Sequence, residues 1–337
     1  MAPHDVISFC WWRMLDYKGP EMFTPILTEE GLCFTFNALN SHEIYTDEMA
    51  PGMMNVMTNT NISRWNLENG YEDVMNLNSY PMRIYNSRSD ESLRMELYLG
   101  DDTFFSCGFG AHPGFRVFIH VPGEVPNMSR QFVYVSVLED VKLSIQATMI
   151  TTSDGLRSYK PSQRQCFFNS DRQLRFFKIY TQSNCEAECL SNYTKNECEC
   201  VKFSMPRDNQ TKICSPLKSE CYKMAAEKLY GEDIVDGLQD DKAKIFRKDC
   251  NCLSSCTSIS YEVIDHIQAL GQDHITTEKT SIVNIFFKTH LVTAYRRAEL
   301  YTYPNILAIG GGLLGLFLGI SALSVVEFIY YFTIRIY

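Results

Sequence analysis

Ten of the thirteen cysteines in this 337-residue chain lie between Cys166 and Cys256, and this cluster restricts the possible folds more than any other feature. Cysteines at this density persist as disulfides in an oxidising compartment, which the cytosol does not provide. Because disulfides constrain the unfolded chain, a module with a small apolar core can still be stable. The sequence therefore predicts an exported module held together by disulfides.

The spacing of four cysteines restricts how they pair. Cys185 and Cys189 are four residues apart and share one face of a predicted helix, whereas Cys250 and Cys252 are two apart and share one face of a predicted strand. Laid antiparallel, the two pairs can bridge as rungs, Cys185 to Cys252 and Cys189 to Cys250. Such a ladder would hold the helix rigidly against the strand.

The other six cysteines of the cluster extend this arrangement. A bridge from Cys166 to Cys256 would continue the ladder, and a local pair of nested loops would contain Cys198, Cys200, Cys214 and Cys221. A zinc module is the competing interpretation, but the C-x-C and C-x3-C spacings differ from the C-x2-C of zinc knuckles, and the histidines are not nearby. We expect no metal and no cofactor.

Glycosylation signals and charge agree with an exported chain. Four Asn-x-Ser/Thr sequons lie on the same side of the last apolar segment as the cysteines, at Asn61, Asn127, Asn192 and Asn209. The formal net charge of -9 and the lack of clustered Lys and Arg argue against nucleic acid as a partner and favour cations. The stretch Met1 to Phe9 has no apolar signal core, so we expect a translocating segment upstream of Met1.

The run from Ile306 to Val326 holds 21 residues without a charge. At about 1.5 Å per residue a helix of this length crosses the ~30 Å hydrocarbon core of a bilayer. A buried core helix is the alternative, although a soluble helix rarely runs this far without a polar face. The run predicts a membrane helix.

Glycines are concentrated in this run, in the sequence GGGLLGLFLGIS, which is unusual for an inert anchor. Gly311, Gly315 and Gly319, spaced four apart, would allow close helix packing. Around Gly319 to Ser321 the helix can unwind, and carbonyls freed there would have to line water or protein. Glu327 is expected to face an interior or the aqueous end of a pore, or else to mark the headgroup level.

The rest of the chain reads as β-rich. Residues 1 to 165 alternate short apolar stretches with turn signals, and strands are predicted at 115–120, 132–137, 140–152, 259–264 and 281–288. Helices are predicted at 185–191 and 219–230. We divide the chain into a β-rich portion (1–165), a cysteine-rich module (166–258), a β return (259–300) and an approach to the membrane with its helix (301–335).

Three motifs resemble the degenerin and epithelial sodium channel family. Its second membrane helix typically reads GG-x-LGLF-x-G-x-S followed by LS-x-x-E, which is matched from Gly311 to Glu327. A G-x-C-[YF]-TFN segment is present from Gly31 to Asn37, and the cysteine spacings of the family's thumb recur here. The sequence of this helix, LGLFLGISALSVVEFIYY, looks most like that of the insect pickpocket branch.

The resemblance implies an α+β fold. Its extracellular domain would comprise finger, palm, β-ball and knuckle with a disulfide-rich helical thumb, followed by one C-terminal transmembrane helix. The protein would be a subunit of an amiloride-sensitive, sodium-selective channel of the plasma membrane, gated by an extracellular stimulus. It would form a homotrimer or a heterotrimer with related subunits in the lipid bilayer, with the ectodomain outside and the C-terminus in the cytoplasm.

Site residues also follow from the resemblance. Gly319, Ile320 and Ser321 match the selectivity tract, Ala308 matches the degenerin position, and Gly312, Gly315 and Glu327 belong to the pore and gate. The family's thumb connectivity implies the pairs Cys166–Cys256, Cys185–Cys252, Cys189–Cys250, Cys198–Cys221 and Cys200–Cys214. Cys33 would ordinarily bridge to a cysteine just after the first membrane helix, which this sequence lacks. Cys10 and Cys107 are left unassigned.

Two other classes of function compete with a channel. A non-conducting accessory subunit or receptor-like surface protein could carry the same ectodomain. An enzyme is disfavoured, because the seven histidines lie in no recognised nucleophile or metal motif. His120, beside Val121 and Pro122, is expected to be a packed turn residue.

Overall fold

The computed structural model describes residues 2–13, 16–17, 19–54, 63, 65–73, 79–84, 87, 92–100, 113–126, 132–236, 250–270, 280–319 and 321–335. The chain divides into two compact units. Unit 1 consists of Met1–Thr151 and Lys160–Tyr295, and unit 2 consists of Thr152–Tyr159 and Arg296–Tyr337.

The strands are β1 (Ile7–Trp12), β2 (Asp16–Tyr17), β3 (Phe23–Thr28), β4 (Gly31–Phe36), β5 (Trp65–Asn66), β6 (Gly70–Tyr71), β7 (Leu93–Tyr98), β8 (Gly114–Val117), β9 (Val133–Ser136), β10 (Glu139–Thr152), β11 (Cys166–Phe167), β12 (Ser254–Ser255), β13 (Ser258–Leu270), β14 (Thr280–Phe287) and β15 (Thr293–Arg297). The α-helices are α1 (Ser41–Ile44), α2 (Pro51–Met54), α3 (Pro161–Arg164), α4 (Gln182–Cys198), α5 (Ser219–Asp236), α6 (Tyr303–Leu318) and α7 (Ala322–Thr333).

A seven-stranded sheet organises unit 1. Its order is β13-β10-β14-β7-β1-β2, and β15 also pairs with β10. The β10–β14 pair is parallel, whereas β13, β7, β1 and β2 join antiparallel neighbours. The hairpins β3–β4 and β8–β9 are separate two-stranded sheets.

Alternating burial explains the central strands. In β7, Leu93, Met95 and Leu97 are buried, while the residues between them are exposed or half-buried. This two-residue period places one apolar row on a single face of the sheet. Val141 and Leu143 of β10 join the row, and aromatic residues of β3 and β4 pack on the same cluster.

A second core lies around α4. Its apolar residues come from the 38–54 segment, from 167–180 and from the cysteine module, and they include Ile44, Tyr45, Phe177 and Tyr180. The ring of Tyr180 meets that of Phe167 edge-on at 5.4 Å, and its hydroxyl donates to the carbonyl of Leu253. This core joins the helical module to the β-rich part of unit 1.

The α+β prediction is confirmed, and the predicted strands at 140–152 and 281–288 correspond to β10 and β14. The predicted helices extend further, to Gln182–Cys198 and Ser219–Asp236. The prediction of a strand at Cys250 and Cys252 is wrong, because these residues precede the short β12. Asn251 between them has a positive φ of 49°, which interrupts an extended strand. The segment boundaries at 165, 258 and 300 stay predictions.

Candidate functional site

The C-terminal apolar run forms two helices instead of the single continuous helix predicted from its composition. α6 begins after Thr302, with Pro304 in its first turn where a missing N–H is tolerated, and ends at Leu318. α7 runs from Ala322 to Thr333, and the two helices are bent by 84° at the break. Among the described residues no single helix is long and apolar enough to cross a membrane. The bent pair qualifies by length and composition.

Glycine and serine end one helix and start the next. Gly319 adopts the left-handed conformation (φ 64°, ψ 16°) and donates its N–H to the carbonyl of Gly315 at 3.1 Å. Glycine reaches this conformation without the steric penalty of a Cβ. Ser321 is the N-cap of α7, and its Oγ accepts from the backbone N–H of Ser324 at 3.2 Å. Local backbone chemistry therefore produces the interruption.

The predicted site residues are distributed around this break. Gly319 and Ser321 lie at it, whereas Ile320 lies outside the described residues. Ala308, Gly312 and Gly315 belong to α6, and Glu327 lies in the second turn of α7. The structure thus groups Gly319 with Ser321 and places Ala308 and Glu327 on opposite sides of the break.

Apolar side chains of both helices are exposed, and the structure describes no buried residue in α6. A Cβ added at Gly310, Gly311 or Gly312 would meet no atom within 4 Å. The carbonyls of the last α6 turn carry the negative end of the helix dipole, directed at the break. The arrangement offers oxygen ligands for a cation at the end of an unpacked apolar helix.

Unit 2 also contains the segment that leads into α6. The backbone N–H of Ser153 donates to the carbonyl of Arg297 at 2.9 Å, six residues before α6 begins. A Cβ at Gly155 would lie 2.7 Å from Oε1 of Glu299, so the glycine allows close approach. The short 3₁₀ helix Asp154–Ser158 is therefore tied to the backbone that enters the apolar segment.

Five disulfides hold α4 and α5 in unit 1, in the same pairs that the sequence analysis expected. Cys185 and Cys189 lie one turn apart on α4 and bridge to Cys252 and Cys250, with Cα–Cα distances of 5.7 and 5.8 Å. The remaining bridges are Cys166–Cys256, Cys198–Cys221 and Cys200–Cys214. The ladder fixes one face of α4, and the nested pair joins its end to α5.

Asn184 fixes α4 in a way that its sequence did not reveal. The side chain is fully buried, its Nδ2 donates to the carbonyls of Gly123 and Ile179 at 3.1 Å each, and its Oδ1 accepts from the N–H of Val125 at 3.3 Å. These partners lie in two loops that adjoin the helix start. The neighbouring Cys185 carries the visible sequence signal, whereas an asparagine at a helix start usually indicates only a cap.

An ion-pair cluster beside α4 joins the three loops that contain Glu48, Arg175 and Asp208. Arg175 donates through Nε to Glu48 at 2.6 Å and through Nη2 to Asp208 at 3.0 Å. Hydrogen bonds from Thr211, together with Lys195 and Arg175, lower the pKa of Asp208 to about 2. Asp208 is therefore ionised throughout the physiological range.

His120 was expected to be a packed turn residue, and its contacts are those of one. His120 shares a hydrogen bond of 2.8 Å between Nε2 and the hydroxyl of Thr35, and its Nδ1 lies 2.9 Å from the carbonyl of Val121. Burial lowers the pKa of His120. Both nitrogens are occupied, as expected for a packed turn residue.

The sequence analysis also singled out the glycosylation sequons and the three cysteines outside the disulfide cluster. The side chains of Asn192 and Asn209 are exposed, whereas Asn61, Asn127 and Cys107 lie outside the described residues. Cys10 and Cys33 form no disulfide within the described ranges. Burial raises the pKa of the Cys10 thiol to about 12.

Comparison with known proteins identifies the class of protein to which the chain belongs. A family described as amiloride-sensitive sodium channel matches residues 1–331. The chain is 25% identical over 355 residues to pickpocket protein 28 of Drosophila melanogaster, covering 98% of this chain and 56% of the relative. It is 24% identical over 258 residues to sodium channel protein Nach of Drosophila virilis, covering 73% and 63%. It is 23% identical over 333 residues to acid-sensing ion channel 1A of Danio rerio, covering 96% and 56%.

These matches define a class of ion-channel proteins, not of enzymes. The chain belongs to the amiloride-sensitive sodium channel family, which is the degenerin and epithelial sodium channel family, and it resembles the insect pickpocket proteins. The chain spans little more than half the length of the curated relatives it matches.

Proposed function

We propose that this chain is the extracellular domain and pore-lining segment of a subunit of an amiloride-sensitive, sodium-selective channel. The observation that carries the proposal is the interruption of the apolar run between Gly319 and Ser321, in a chain whose family match extends to residue 331. The channel would lie in the plasma membrane, with unit 1 outside and the C-terminus in the cytoplasm.

The break supports an ion pathway on physical grounds. Within a bilayer, irregular backbone is tolerated only where it lines water or is buried in protein. Backbone carbonyls replace the hydration shell of a cation as it enters a narrow filter. We assign Gly319, Ile320 and Ser321 to a selectivity tract, which the helix break would bring close to the permeating sodium ion.

The exposed helices support an oligomer. An isolated α6 leaves Gly310, Gly311 and Gly312 without packing neighbours, and small residues allow helices of different subunits to approach closely. A homotrimer or a heterotrimer with related subunits would surround the pore. Gly312 and Gly315 would lie at the helix contacts, and Glu327 would attract cations at one end of the pore.

Gating would act through unit 2. The 152–159 segment is bonded to the backbone that leads into α6, through Ser153 and Arg297. A displacement of this segment by an extracellular stimulus would be transmitted to Tyr303 and Pro304 at the helix start. Ala308, one turn further along, occupies the position at which bulk would hold the helix in an open arrangement.

Heterologous expression tests the proposal. The full-length gene product containing this chain would be expressed alone and together with pickpocket relatives, and amiloride-blocked sodium current would be recorded. Current in at least one combination is expected. If the chain only changes the current of a co-expressed relative, it is an accessory subunit; surface expression without any effect on current contradicts both roles.

Substitution of Ser321 tests the assigned tract. Ser321→Ala removes the Oγ that caps α7 and so disturbs the backbone at the break; a loss of about 1 kcal/mol of preference for sodium would lower the sodium-to-potassium permeability ratio about five-fold. Thr333→Ala, near the far end of α7, is the matched control and should leave the ratio unchanged. An unchanged ratio in Ser321→Ala would remove this residue from the filter.

A further inference from the structure

Helix α7 carries a row of polar side chains along one face. Ser324, Glu327 and Tyr331 are spaced three and four residues apart, and this spacing aligns side chains on one side of an α-helix. Val326 and Ile329 lie on the opposite side. The helix therefore has one polar and one apolar face.

The apolar face does not require water. Thr333 lies on this side, and its hydroxyl donates to the carbonyl of Ile329, one turn earlier, at 2.5 Å. Phe328 and Phe332 lie between the two faces and pack on each other, with ring centroids 4.6 Å apart. Lipid or another apolar helix is a suitable neighbour for this side of α7.

Glu327 determines which face of α7 meets water. A carboxylate within an apolar segment is costly in contact with lipid, and such residues face a protein interior or a water-filled path. Ser324 and Tyr331 lie in the same row as Glu327 and therefore face the same surroundings. The polar row is thus the side of α7 that suits an aqueous path.

Arg335 adds a positive charge to this row. Its Cζ lies 4.9 Å from the ring centroid of Tyr331, one turn earlier, which is within the range of a cation–π contact. At 1.5 Å per residue, Arg335 lies about 12 Å along the helix from Glu327. The two charges are therefore too far apart to form an ion pair, and the guanidinium stays available to ions that pass this end of α7.

We propose that Arg335, held over Tyr331, faces the ion pathway at its cytoplasmic end and repels sodium there. The inference rests on the proposed function, in which α7 belongs to the pore segment. Each subunit of the oligomer would contribute one guanidinium to a ring, and rings of basic side chains disfavour cations. The ring would lower the sodium concentration at the cytoplasmic mouth and so favour entry of sodium over its exit.

Cysteine labelling tests which face of α7 is wet. Two pairs of variants compare neighbouring depths, Ser324→Cys with Val326→Cys and Tyr331→Cys with Ile329→Cys. The full-length gene product containing this chain would be labelled in inside-out membrane vesicles with a cationic methanethiosulfonate reagent, and modification would be followed by peptide mass spectrometry. The first member of each pair should react about ten-fold faster, because a thiol in apolar surroundings ionises less.

A folding control accompanies each variant. N-ethylmaleimide crosses membranes, and it should leave Cys10 unmodified wherever unit 1 is folded, because Cys10 is fully buried. A variant in which Cys10 reacts is replaced by the cysteine substitution of the next residue in the same row, Phe328→Cys for the polar row or Thr333→Cys for the apolar face.

The charge of Arg335 is tested at the Ser324→Cys position. Its labelling rate would be measured from the cytoplasmic side with a cationic and an anionic methanethiosulfonate reagent, with and without Arg335→Gln. One guanidinium changes the local concentration of either reagent about two-fold, in opposite directions. The cation-to-anion rate ratio should therefore rise about four-fold in Arg335→Gln, whereas Arg335→Lys, which keeps the charge, should retain the original ratio.

The labelling needs no ion current, so this inference and the proposed function can fail separately. Labelling as expected in a protein that conducts no sodium would contradict the channel and support the wet face of α7. Equal labelling within both pairs of variants would overturn the inference. An unchanged rate ratio in Arg335→Gln would also overturn it, and is the result expected if the guanidinium reaches lipid phosphates instead.

Discussion

Replacement of Asn184 by alanine should destabilise unit 1 strongly, although the residue lies outside the predicted pore. Its side chain is fully buried and makes three hydrogen bonds to the backbone of Gly123, Val125 and Ile179. Alanine can make none of them. Two carbonyls and one N–H would then lose their partners beside the start of α4.

The expected magnitude follows from these three bonds. At a net value of about 1 kcal/mol each, their loss lowers the free energy of unfolding by about 3 kcal/mol. Alanine favours helix over asparagine by about 0.5 kcal/mol, which leaves a net loss of roughly 2.5 kcal/mol. Asn196→Ala is the matched control, because Asn196 is exposed on the same helix. That variant keeps the gain in helix propensity without the loss of buried bonds.

Denaturant unfolding of the oxidised chain, followed by near-ultraviolet circular dichroism, measures the difference. The midpoint of Asn184→Ala should fall well below that of wild type, and that of Asn196→Ala should equal it or rise slightly. Equal midpoints for the two variants would refute the argument, because the buried bonds of Asn184 would then contribute nothing to stability.

Three further predictions concern other parts of the chain. Gly114→Ala should lower the free energy of unfolding by about 1–3 kcal/mol, since its Cβ would lie 2.4 Å from the carbonyl oxygen of Val135; Gly52→Ala, with open space around it, is the control in the same unfolding assay. The lowered pKa of Asp208 means that its contribution to stability is present above about pH 4 and is lost as pH falls towards about 2. Asp208→Asn should therefore remove that part of the acid dependence, measured as unfolding midpoint against pH, and a wild-type profile in the variant would contradict the assignment. Ala308→Phe should increase the open fraction and the resting sodium current of the expressed channel, whereas an unchanged resting current would argue against a gating role.

The sequence alone supplied the features that depend on local spacing. β-branched residues at mostly alternating positions identified β10, and strand-favouring residues identified β14, because such side chains pack well on a pleated sheet. The positions of Cys185 and Cys189 one helical turn apart indicated the ladder, because two sulfurs on one face must meet partners on one neighbouring segment. The glycine-rich run also indicated where its helix can unwind.

Contacts between distant segments could not be read in the same way. The sequence gives no sign that Asn184 bonds to Gly123, since the two positions are 61 residues apart and neither belongs to a recognisable motif. Arg175 likewise joins Glu48 and Asp208 only because three loops meet beside α4. Such contacts depend on the packing of whole elements.

The apolar run shows both contributions in one place. Composition determined that residues 306–326 form an uncharged segment long enough for a bilayer, and glycine at 319 made an interruption possible. The tertiary structure decided that the interruption becomes an 84° bend, with Gly319 left-handed and Ser321 capping a new helix. The packing of the β3–β4 hairpin on the seven-stranded sheet was also decided there, because that fit is not encoded by any local pattern of residues.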